Sequence, residues 1–291
     1  MTIRETAERS YRAVLDALPV AARRRLLYTR AHRRMPRFGH PQRFTEKVNW
    51  RILRDRRAGL AWTCDKLAMK DYAGRSDAGV RVARTLWSGT DVHEIAALEL
   101  PKRWVLKPNH RSATVHLGTG DPDVDELAVL TEGWLRSYQA EQLGEWAYGQ
   151  ARPTMLLEEW IGESDEPPMD YKFFVFGGRV ALVQVDTSRF TGHCRRLFWP
   201  DWTPLEVTLR WPLGPEVPRP RRLEQMVAAA AALGEPFDFM RIDLYDDGDT
   251  IWFGETTPYP SGGLSPFDPA WLDTALGSMW TLPDAAAAGR R

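Results

Sequence analysis

Two acidic residues near the carboxyl end of the chain lie in segments that otherwise predict apolar β-strands. Asp243 and Glu255 belong to the segment 240–257, whose two apolar runs are separated by an Asp/Gly turn at 246–249. This pattern predicts a β-hairpin in which the two carboxylates, counted back from the turn, could come opposite one another and point the same way. A carboxylate in an apolar strand is costly unless a cation pairs with it. The pair therefore predicts either a Mg²⁺ site, because Mg²⁺ prefers carboxylate oxygens, or a salt bridge to Arg241 or another basic residue.

Two lysines could bind phosphate. Lys107 ends a predicted strand over 104–108 and precedes a polar loop, and Lys70 lies on a predicted short helix over 63–73. A lysine at a strand end beside a loop of backbone amides is typical of phosphate binding, whereas the alternative is that both are surface lysines. Neither the Gly-x-x-x-x-Gly-Lys-Ser/Thr motif nor the Gly-x-Gly-x-x-Gly motif occurs in the sequence, which excludes those two kinds of nucleotide site.

A third segment could border a flat heterocycle. Residues 156–162, LLEEWIG, form an apolar run that ends in two acids, a tryptophan and an isoleucine. Such a strand end offers backbone groups and an apolar wall to a nucleobase. The alternative is an ordinary strand end with solvated carboxylates.

The spacing of apolar residues predicts a mixed α+β chain that positions these three segments. Helices are predicted over 1–36, 44–56, 63–73 and 223–233, and 121–142 is predicted to be mostly helical. Strands are predicted over 104–108 and 154–161, with a hairpin over 170–188 that turns at Gly177 and Gly178. Residues 199–222 are rich in Trp, Pro and Arg and are predicted to be mainly irregular.

The composition limits the classes of protein to which the chain can belong. The 291 residues carry 39 basic and 39 acidic side chains, and this zero net charge argues against a nucleic-acid partner. The two cysteines have no metal-like spacing, no apolar run approaches membrane-spanning length and the first residues lack an apolar signal sequence, so we expect a reduced, cytoplasmic protein. Arginines are concentrated in residues 9–37, where they predict either a solvated helix face or a surface for an anionic partner or a membrane.

The order of these segments resembles that of a known superfamily. Along the chain come DKLAMK, WVLKP, LLEEWIG, DYKFF and then RIDLY followed by FGETT. This order resembles the ATP-grasp superfamily and, more narrowly, its TupA-like branch, named for a teichuronopeptide biosynthesis protein, over residues 38–283. The resemblance implies an α+β fold in which two α+β subdomains clasp ATP behind a helical N-terminal segment. The implied boundaries are 1–60 for the helical segment, 61–153 and 154–283 for the two subdomains, and 284–291 for a disordered tail.

The same resemblance assigns roles to individual residues. The residues implied for ATP are Lys70 and Lys107 at the phosphates, Glu158, Glu159, Trp160 and Ile161 at the adenine, Asp170 at the ribose, and Lys172 and Ser112 as further contacts. The residues implied for the metal are Asp243, Glu255 and Thr257. Catalytic roles are implied for Arg241, Lys107, Arg189 and Arg196, where the last two come from a segment, 186–199, in which His193 and Arg195 are further candidates for contacting phosphate or the donor carboxylate.

One metal-site position and one loop depart from the superfamily's pattern. Thr257 stands where the superfamily often has Asn, although the branch also places Thr there and its hydroxyl can still bind Mg²⁺. The loop over the phosphates often reads Asn-His-Gly-Ser-Gly in the branch, but here Arg111 and Ala113 stand in place of the glycines. Loss of glycine stiffens a loop and restricts positive φ, and Arg111 could compensate by contacting a phosphate.

The function implied by the resemblance is that of an ATP- and Mg²⁺-dependent ligase, with Mn²⁺ as an alternative metal. Such an enzyme joins a carboxylate to an amine through an acyl phosphate and releases ADP. Its partners would be ATP, a small carboxylic acid or amino acid as donor, and an amino acid, amino sugar or natural-product intermediate as amine acceptor, in natural-product or surface-polymer biosynthesis. Two alternatives stay open: a non-catalytic nucleotide-binding protein that keeps the fold, and a transferase that modifies polysaccharides.

Overall fold

The computed structural model describes residue 15 and residues 17–164, 166–187, 192–284 and 288–289. Arg189, one of the predicted catalytic residues, lies outside them. Across the described part of the chain, no helix combines the length and the apolar character that crossing a bilayer requires.

Helices and strands are intermixed along the described part of the chain. The α-helices are α1 (Val20–His32), α2 (Phe44–Arg54), α3 (Ala58–Ala61), α4 (Lys66–Gly74), α5 (Val124–Leu130), α6 (Tyr138–Leu143), α7 (Leu223–Gly234) and α8 (Trp271–Met279). The strands are β1 (Arg81–Val82), β2 (Thr85–Gly89), β3 (Arg103–Pro108), β4 (His116–Thr119), β5 (Met155–Glu159), β6 (Met169–Phe176), β7 (Arg179–Thr187), β8 (Cys194–Phe198), β9 (Pro204–Leu205), β10 (Thr208–Leu209), β11 (Met240–Asp246), β12 (Ile251–Thr257) and β13 (Phe267–Asp268). Short 3₁₀-helices cover Val92–Ala97, Trp146–Gly149 and Pro260–Gly263.

Seven strands form a large sheet in the order β1-β12-β11-β6-β7-β8-β9, in which β1 is parallel to β12 and the other neighbours are antiparallel. Both predicted hairpins, β6–β7 and β11–β12, lie in this sheet. The turn of the first is made by Gly177 and Gly178, which adopt φ of 51° and 78°, a region that favours glycine. Helix α7 covers one face of the sheet and buries Met226 and Leu233 completely in its core.

The large sheet carries apolar side chains on one face and a polar group of side chains on the other. Leu244 packs in the apolar core, so the preceding Asp243 points to the opposite face. A bulge at Gly254 extends this arrangement to β12, where Glu255 pairs with Asp243 but Phe253 pairs with Leu244. In a regular strand Phe253 and Glu255 would share a face, and the extra residue separates them. Glycine is needed there because a Cβ would lie 2.9 Å from the Asp243 carbonyl oxygen.

A second sheet of four antiparallel strands has the order β2-β5-β3-β4. Its own core contains Ile95, Trp104, Leu106, Leu127 and Leu157. Strand β5, which the sequence assigns to the second subdomain, pairs with β2 and β3 of this small sheet, so the implied boundary between residues 153 and 154 separates strands that are hydrogen-bonded. Helix α4 packs against β12 of the large sheet and reaches β5 of the small sheet through Lys70.

Helix α1 is attached to the rest of the protein by two of its arginines. Arg23 donates to the Gln142 carbonyl at 2.8 Å, and Arg24 donates to Asn49 Oδ1 at 2.9 Å. Both guanidinium groups are buried, whereas Arg25 is exposed. The expected solvated face therefore describes only part of the arginine-rich segment, because two of its charges have structural partners.

Three further segments can be compared with the sequence predictions. The segment 121–142 is interrupted between α5 and α6, where Gly133 adopts a left-handed φ of 74° that does not continue a helix. Residues 199–222 are irregular apart from the two-residue strands β9 and β10, as predicted. In the tail, Ala288 is fully buried and its carbonyl accepts a hydrogen bond from the Arg56 N–H at 2.7 Å, so this residue packs against the end of α2.

Candidate active site

A row of four polar side chains crosses the middle of the large sheet. Glu255 lies opposite Asp243, Asp243 lies opposite Lys172 of β6, and Lys172 lies opposite Gln184 of β7. The predicted opposition of the two acids is thereby confirmed. Asp243 is 2% exposed, while the Glu255 side chain is 30% exposed and is the most accessible of the four.

Arg241 neutralises the acid pair. Its Nε and Nη2 donate to the two carboxylate oxygens of Asp243 at 2.7 and 2.6 Å, and Nη2 lies 3.4 Å from Glu255 Oε1. Burial favours the neutral guanidinium, but the charges of Asp243 and Glu255 outweigh it and raise the pKa of Arg241 above its ordinary value. The salt bridge that the sequence left open as the alternative to a metal site is therefore present.

The side chains of Asp243, Glu255 and Thr257 offer a donor set that fits Mg²⁺. All three present oxygen, and Thr257 Oγ1 lies 3.4 Å from Glu255 Oε1. Burial opposes ionisation of Glu255, but Lys66, Arg241 and Lys172 keep its pKa below the ordinary value, so it is a carboxylate at neutral pH. No group of three or more His, Cys, Asp or Glu side chains suited to a metal occurs among the described residues. Two carboxylates and a hydroxyl suit an ion that takes its remaining ligands from water and substrate phosphates.

Lys172 connects the acids of the row with two others. Its ammonium donates to Asp170 and lies 3.5 Å from Asp243 and 3.7 Å from Asp186. Asp186 also accepts a hydrogen bond from Arg195 Nε at 2.6 Å. Burial opposes ionisation of Asp186, but Arg195 and Lys172 hold its pKa well below the ordinary value. Asp186 was missed in the sequence, although a carboxylate within the apolar run of β7 is the same signal that singles out Asp243.

Lys70 and Lys107 share one carboxylate on the small sheet. Lys70 Nζ lies 2.6 Å from Glu158 Oε1, and Lys107 Nζ lies 2.5 Å from Glu158 Oε2. Burial would protonate Glu158, but the two ammonium groups keep its pKa below the ordinary value. The interpretation of these residues as surface lysines is wrong, because the side chains of Lys70 and Lys107 are only 11% and 20% exposed.

Lys66 lies one turn before Lys70 on α4 and is buried. Its ammonium donates to the carbonyl of Arg111 at 2.5 Å. Burial lowers the pKa of Lys66, and its charge interacts with Glu255 of the large sheet and with Lys107 and Glu158 of the small one. Lys66 is not among the residues predicted from the sequence, although its position four residues before Lys70 in DKLAMK places it on the same helix face.

The polar loop after Lys107 has the strain that its sequence suggests. Ala113 adopts a left-handed φ of 58° at a position where the branch has glycine. Ser112 Oγ accepts a hydrogen bond from Gln139 Nε2 at 3.0 Å, and Arg111 Nη1 donates to the Gly133 carbonyl at 2.9 Å. The loop is thereby held against the segment between α5 and α6, and in this arrangement the Arg111 guanidinium is engaged by the protein.

The four residues expected to border adenine contact different parts of the protein. Glu159 Oε1 accepts a hydrogen bond from the Arg84 backbone N–H at 2.7 Å. The Trp160 ring packs against the Arg103 guanidinium at 5.3 Å, and Ile161, which follows, is partly exposed. The side chain of Glu158 binds the lysines, β5 ends at Glu159, and Trp160 and Ile161 follow the strand.

The two neighbouring arginines of β8 point to opposite faces of the large sheet. Arg195 pairs with Asp186 on the polar face, whereas Arg196 lies opposite Val185, which is buried in the apolar core on the other face. The Arg196 guanidinium donates to the Gly214 carbonyl at 3.0 Å and to Glu206 at 2.8 Å. The structure thus brings Arg195 to the polar group and places Arg196 apart from it.

The four-stranded sheet carries paired lysines, the seven-stranded sheet carries paired carboxylates, and α4 contacts both, which is the arrangement of an ATP-grasp fold. The sequence model of the TupA-like ATP-grasp family matches residues 46–281. The chain belongs to this family, and the family resemblance and the α+β fold expected from the sequence are confirmed.

Several solved structures are similar in fold. They include the D-alanine–D-alanine ligase from Helicobacter pylori, with 14% identity and a TM-score of 0.41 over 76% of this chain and 59% of that one. The L-amino acid ligase from Bacillus licheniformis has 13% identity and a TM-score of 0.42 over 69% of this chain and 42% of that one. The D-alanine–D-alanine ligase from Bacillus anthracis has 16% identity and a TM-score of 0.38 over 67% of this chain and 57% of that one. The chain thus spans about half the length of these proteins, and no curated protein sequence matches it.

Proposed function

We propose that this protein is an ATP- and Mg²⁺-dependent ligase that joins a carboxylate to an amine through an acyl phosphate, in the cytoplasm. The donor is a small carboxylic acid or amino acid, and the acceptor is an amine of an amino acid, amino sugar or natural-product intermediate. A bound Mg²⁺ would neutralise phosphate charge and be held by Asp243, Glu255 and Thr257.

The observation that carries this proposal is the presence of two charged groups, Lys70–Glu158–Lys107 on the small sheet and Arg241–Asp243–Glu255 on the large sheet, that both interact with the charge of Lys66. The lysines of the small sheet supply fixed positive charge for phosphates, and the acids of the large sheet supply oxygen ligands. Burial lowers the pKa of Lys66. The carboxylates of Glu255 and Glu158 raise this pKa and the ammonium of Lys107 lowers it, so Lys66 interacts with both groups. A triphosphate between the two sheets would meet cations on one side and metal ligands on the other.

Arg241 and Lys172 are the cations that would act on the carboxylate of the acyl donor. Both cations are buried next to Asp243, which holds them in place. The Arg241 guanidinium would orient the reacting carboxylate beside the acids. A fixed cation there would stabilise the negative charge of the phosphoryl group that the carboxylate attacks.

Trapping of the acyl phosphate tests the reaction directly. The protein is incubated with ATP, MgCl₂, hydroxylamine and a panel of carboxylic and amino acids, and hydroxamate and ADP are measured. We expect hydroxamate with at least one acid, in proportion to ADP. ATP consumption without hydroxamate across the panel would contradict acyl-phosphate formation.

A non-catalytic nucleotide-binding protein is the second candidate, and one observation favours it. The bidentate salt bridge from Arg241 already satisfies Asp243, which a metal would otherwise bind. The two candidates differ in one measurement: ATP binding without ADP formation under any acid and amine would favour the non-catalytic protein.

A further inference from the structure

His193 is a histidine beside the polar face of the large sheet to which the proposed reaction assigns no role. It directly precedes β8, and its Nε2 lies 3.2 Å from Asp186 Oδ1. This contact has the distance of an ion pair but not the angle of a hydrogen bond, and Nε2 is buried without a hydrogen-bond partner among the described residues. A neutral imidazole carries one N–H, and the carboxylate beside Nε2 favours the proton on that nitrogen. The lone pair is then on Nδ1.

The second ring nitrogen of His193 is accessible. Nδ1 is not buried and makes no hydrogen bond within the part of the chain that the structure describes, and the side chain is 21% exposed. A histidine that has a carboxylate at one ring nitrogen and a free lone pair at the other is suited to accept a proton from a substrate.

Trp211 fixes the plane of the imidazole. The His193 and Trp211 rings stack with their centroids 4.4 Å apart and an angle of 20° between their planes. A tight turn brings Trp211 there, because its backbone N–H donates to the Leu209 carbonyl at 2.8 Å and Arg210, between them, adopts a left-handed φ of 67°. A three-residue turn with this φ is rare and strained. Strain of this kind occurs preferentially at functional sites.

Arg195 connects the carboxylate and the tight turn. Its Nε donates to Asp186 Oδ1 at 2.6 Å, and its Nη1 donates to the Leu209 carbonyl at 3.0 Å. Gln184 Nε2 donates to the other carboxylate oxygen of Asp186 at 3.0 Å. The same arginine therefore holds both the group at the edge of the His193 ring and the turn that carries the group on its face. A side chain oriented from two directions is preorganised for its substrate.

Lys172 connects this histidine with the proposed metal site. Its ammonium lies 3.7 Å from Asp186 Oδ2 and 3.5 Å from Asp243 Oδ2, so these two carboxylate oxygens are separated by no more than the two distances together. In the strand order of the large sheet, β8 and His193 lie on the side of Asp243 opposite to Glu255. An amine at His193 would therefore approach an acyl phosphate at Asp243 from the β8 side.

We propose that His193 is the general base that takes a proton from the ammonium group of the amine acceptor. This inference rests on the proposed ligase function, because it supplies a step of that reaction. A primary amine is mostly protonated at neutral pH and then has no lone pair for attack.

The proposed step balances protons and bonds. Nδ1 of His193 accepts one proton from the ammonium, and the freed amine nitrogen attacks the acyl carbon. The C–N bond forms while the bond from that carbon to the phosphate oxygen breaks. The nitrogen loses a second proton, which leaves with the phosphate, and His193 returns the first proton to water.

The charged groups around His193 decide how its role depends on pH. They are Asp186 of β7, Arg195 of β8, Lys172 of β6 and Arg210 of the tight turn. Burial opposes ionisation of Asp186, but Arg195 and Lys172 hold its pKa well below the ordinary value, so it is a carboxylate throughout the neutral range. Arginine and lysine are cations in that range. Within this set, His193 is the residue type whose charge changes between about pH 5 and 8.

Two kinds of nucleophile test the role of His193. Hydroxylamine is mostly uncharged at pH 7, so its attack on an acyl phosphate needs no base, whereas alkyl amines are mostly ammonium ions. Wild type and His193→Gln are incubated with ATP, MgCl₂ and a donor acid that yields hydroxamate. Either hydroxylamine or a panel of the common amino acids and glucosamine is then supplied. Hydroxamate, amide and ADP are measured.

We expect His193→Gln to form hydroxamate within about twofold of the wild-type rate but amide about 100-fold more slowly at pH 7. The difference in amide formation should decrease from pH 7 to pH 9, because a larger share of the acceptor is then uncharged. His93→Gln is the matched control, since His93 also contacts an aspartate, Asp91 at 2.7 Å, but is 52% exposed. It should behave as the wild type in both reactions.

Four results would overturn the assignment. They are equal amide formation by His193→Gln and wild type, an equal loss of hydroxamate and amide, a loss of amide that does not change with pH, and hydroxamate from the wild type without amide from any amine. Normal hydroxamate formation by the variant also shows that it is folded. Absence of hydroxamate from the wild type with every acid would instead contradict the ligase function, so the two failures are distinguishable.

Discussion

The Lys107 ammonium lies 2.5 Å from a carboxylate oxygen of Glu158, and the other oxygen of that carboxylate holds Lys70. The two lysines are therefore assembled by the protein itself, before a phosphate arrives. Preassembled cations lose little freedom when the ligand binds, which favours tight and specific binding. A single acid on β5 thus sets the geometry of the proposed phosphate site.

Replacement of Lys107 by alanine should weaken ATP binding at least tenfold, or about 1.4 kcal/mol, because one of two phosphate-binding cations is lost. Glu158 keeps Lys70 as a partner, so the fold should survive. Calorimetric titration with a non-hydrolysable ATP analogue measures the effect. Lys102→Ala, an exposed lysine just before the same strand, is the matched control and should bind as the wild type does. Unchanged affinity in Lys107→Ala would remove its phosphate role.

Glu255→Gln should abolish Mg²⁺-dependent ADP formation, because the amide loses the charge that a divalent ion requires. Nucleotide binding in the absence of Mg²⁺ should change little, since the lysines of the small sheet remain. The readout is ADP release with and without MgCl₂ in the hydroxylamine assay. Asp249→Asn, in the exposed turn of the same hairpin, should retain activity. Full activity of Glu255→Gln would mean that this carboxylate is not a metal ligand.

The hairpin was predictable from sequence because its signals are local. Alternation and an Asp/Gly turn fix which face Asp243 takes. The pairing of Asp243 with Glu255 also needs the bulge at Gly254, because the register set by the turn alone would place Gly254 opposite Asp243. The role of Glu158 was not predictable, because its partners Lys70 and Lys107 come from two other elements and only the fold brings them together. Tertiary pairing of this kind leaves no periodic signal.

The orientation of the neighbouring arginines of β8 was also not predictable from the sequence. Arg195 and Arg196 have equal chemistry, and only the phase of the strand decides which one faces the acids. That phase depends on the pairing with β7, in a region where the apolar pattern is weak. The burial of Glu145 was not predictable for a related reason: it results from the packing of α1 and the 260–263 turn around it, which the local sequence does not reveal.

Loss of Arg195 should destabilise the protein far more than loss of Arg196. Arg195→Met leaves Asp186 buried with its strongest partner removed, and breaking a buried pair in this way costs about 3 kcal/mol. Arg196→Met removes a pair with Glu206, whose side chain is 75% exposed, and should cost about 1 kcal/mol or less. Urea unfolding of the two variants measures the difference. Equal destabilisation would contradict the assignment of the two side chains to opposite faces.

Ala113→Gly should stabilise the protein by about 1 kcal/mol, because glycine adopts the left-handed φ of this position without steric cost. Ala97→Gly, at an exposed position of the 3₁₀-helix Val92–Ala97 with ordinary φ, should instead destabilise it by about 0.5 kcal/mol. Thermal melting of both variants provides the comparison. A lower melting temperature for Ala113→Gly than for the wild type would show that the loop is not strained at this residue.

The raised pKa of Glu145 makes a prediction about stability that needs no substrate. The carboxyl titrates at about 7 in the folded protein, above its ordinary 4.5, so between these values the folded chain binds more protons than the unfolded chain. Its contribution to stability is therefore complete below pH 4.5, decreases as the pH rises and levels off above pH 7. The total change is about 3 kcal/mol, from 1.36 kcal/mol per pKa unit. Glu145→Gln cannot ionise, so its unfolding free energy relative to that of the wild type should increase by this amount between pH 4.5 and 8 in urea titrations. Glu141→Gln, with its exposed acid, should show no such increase, and a pH-independent difference for Glu145→Gln would mean that the Glu145 carboxyl titrates normally.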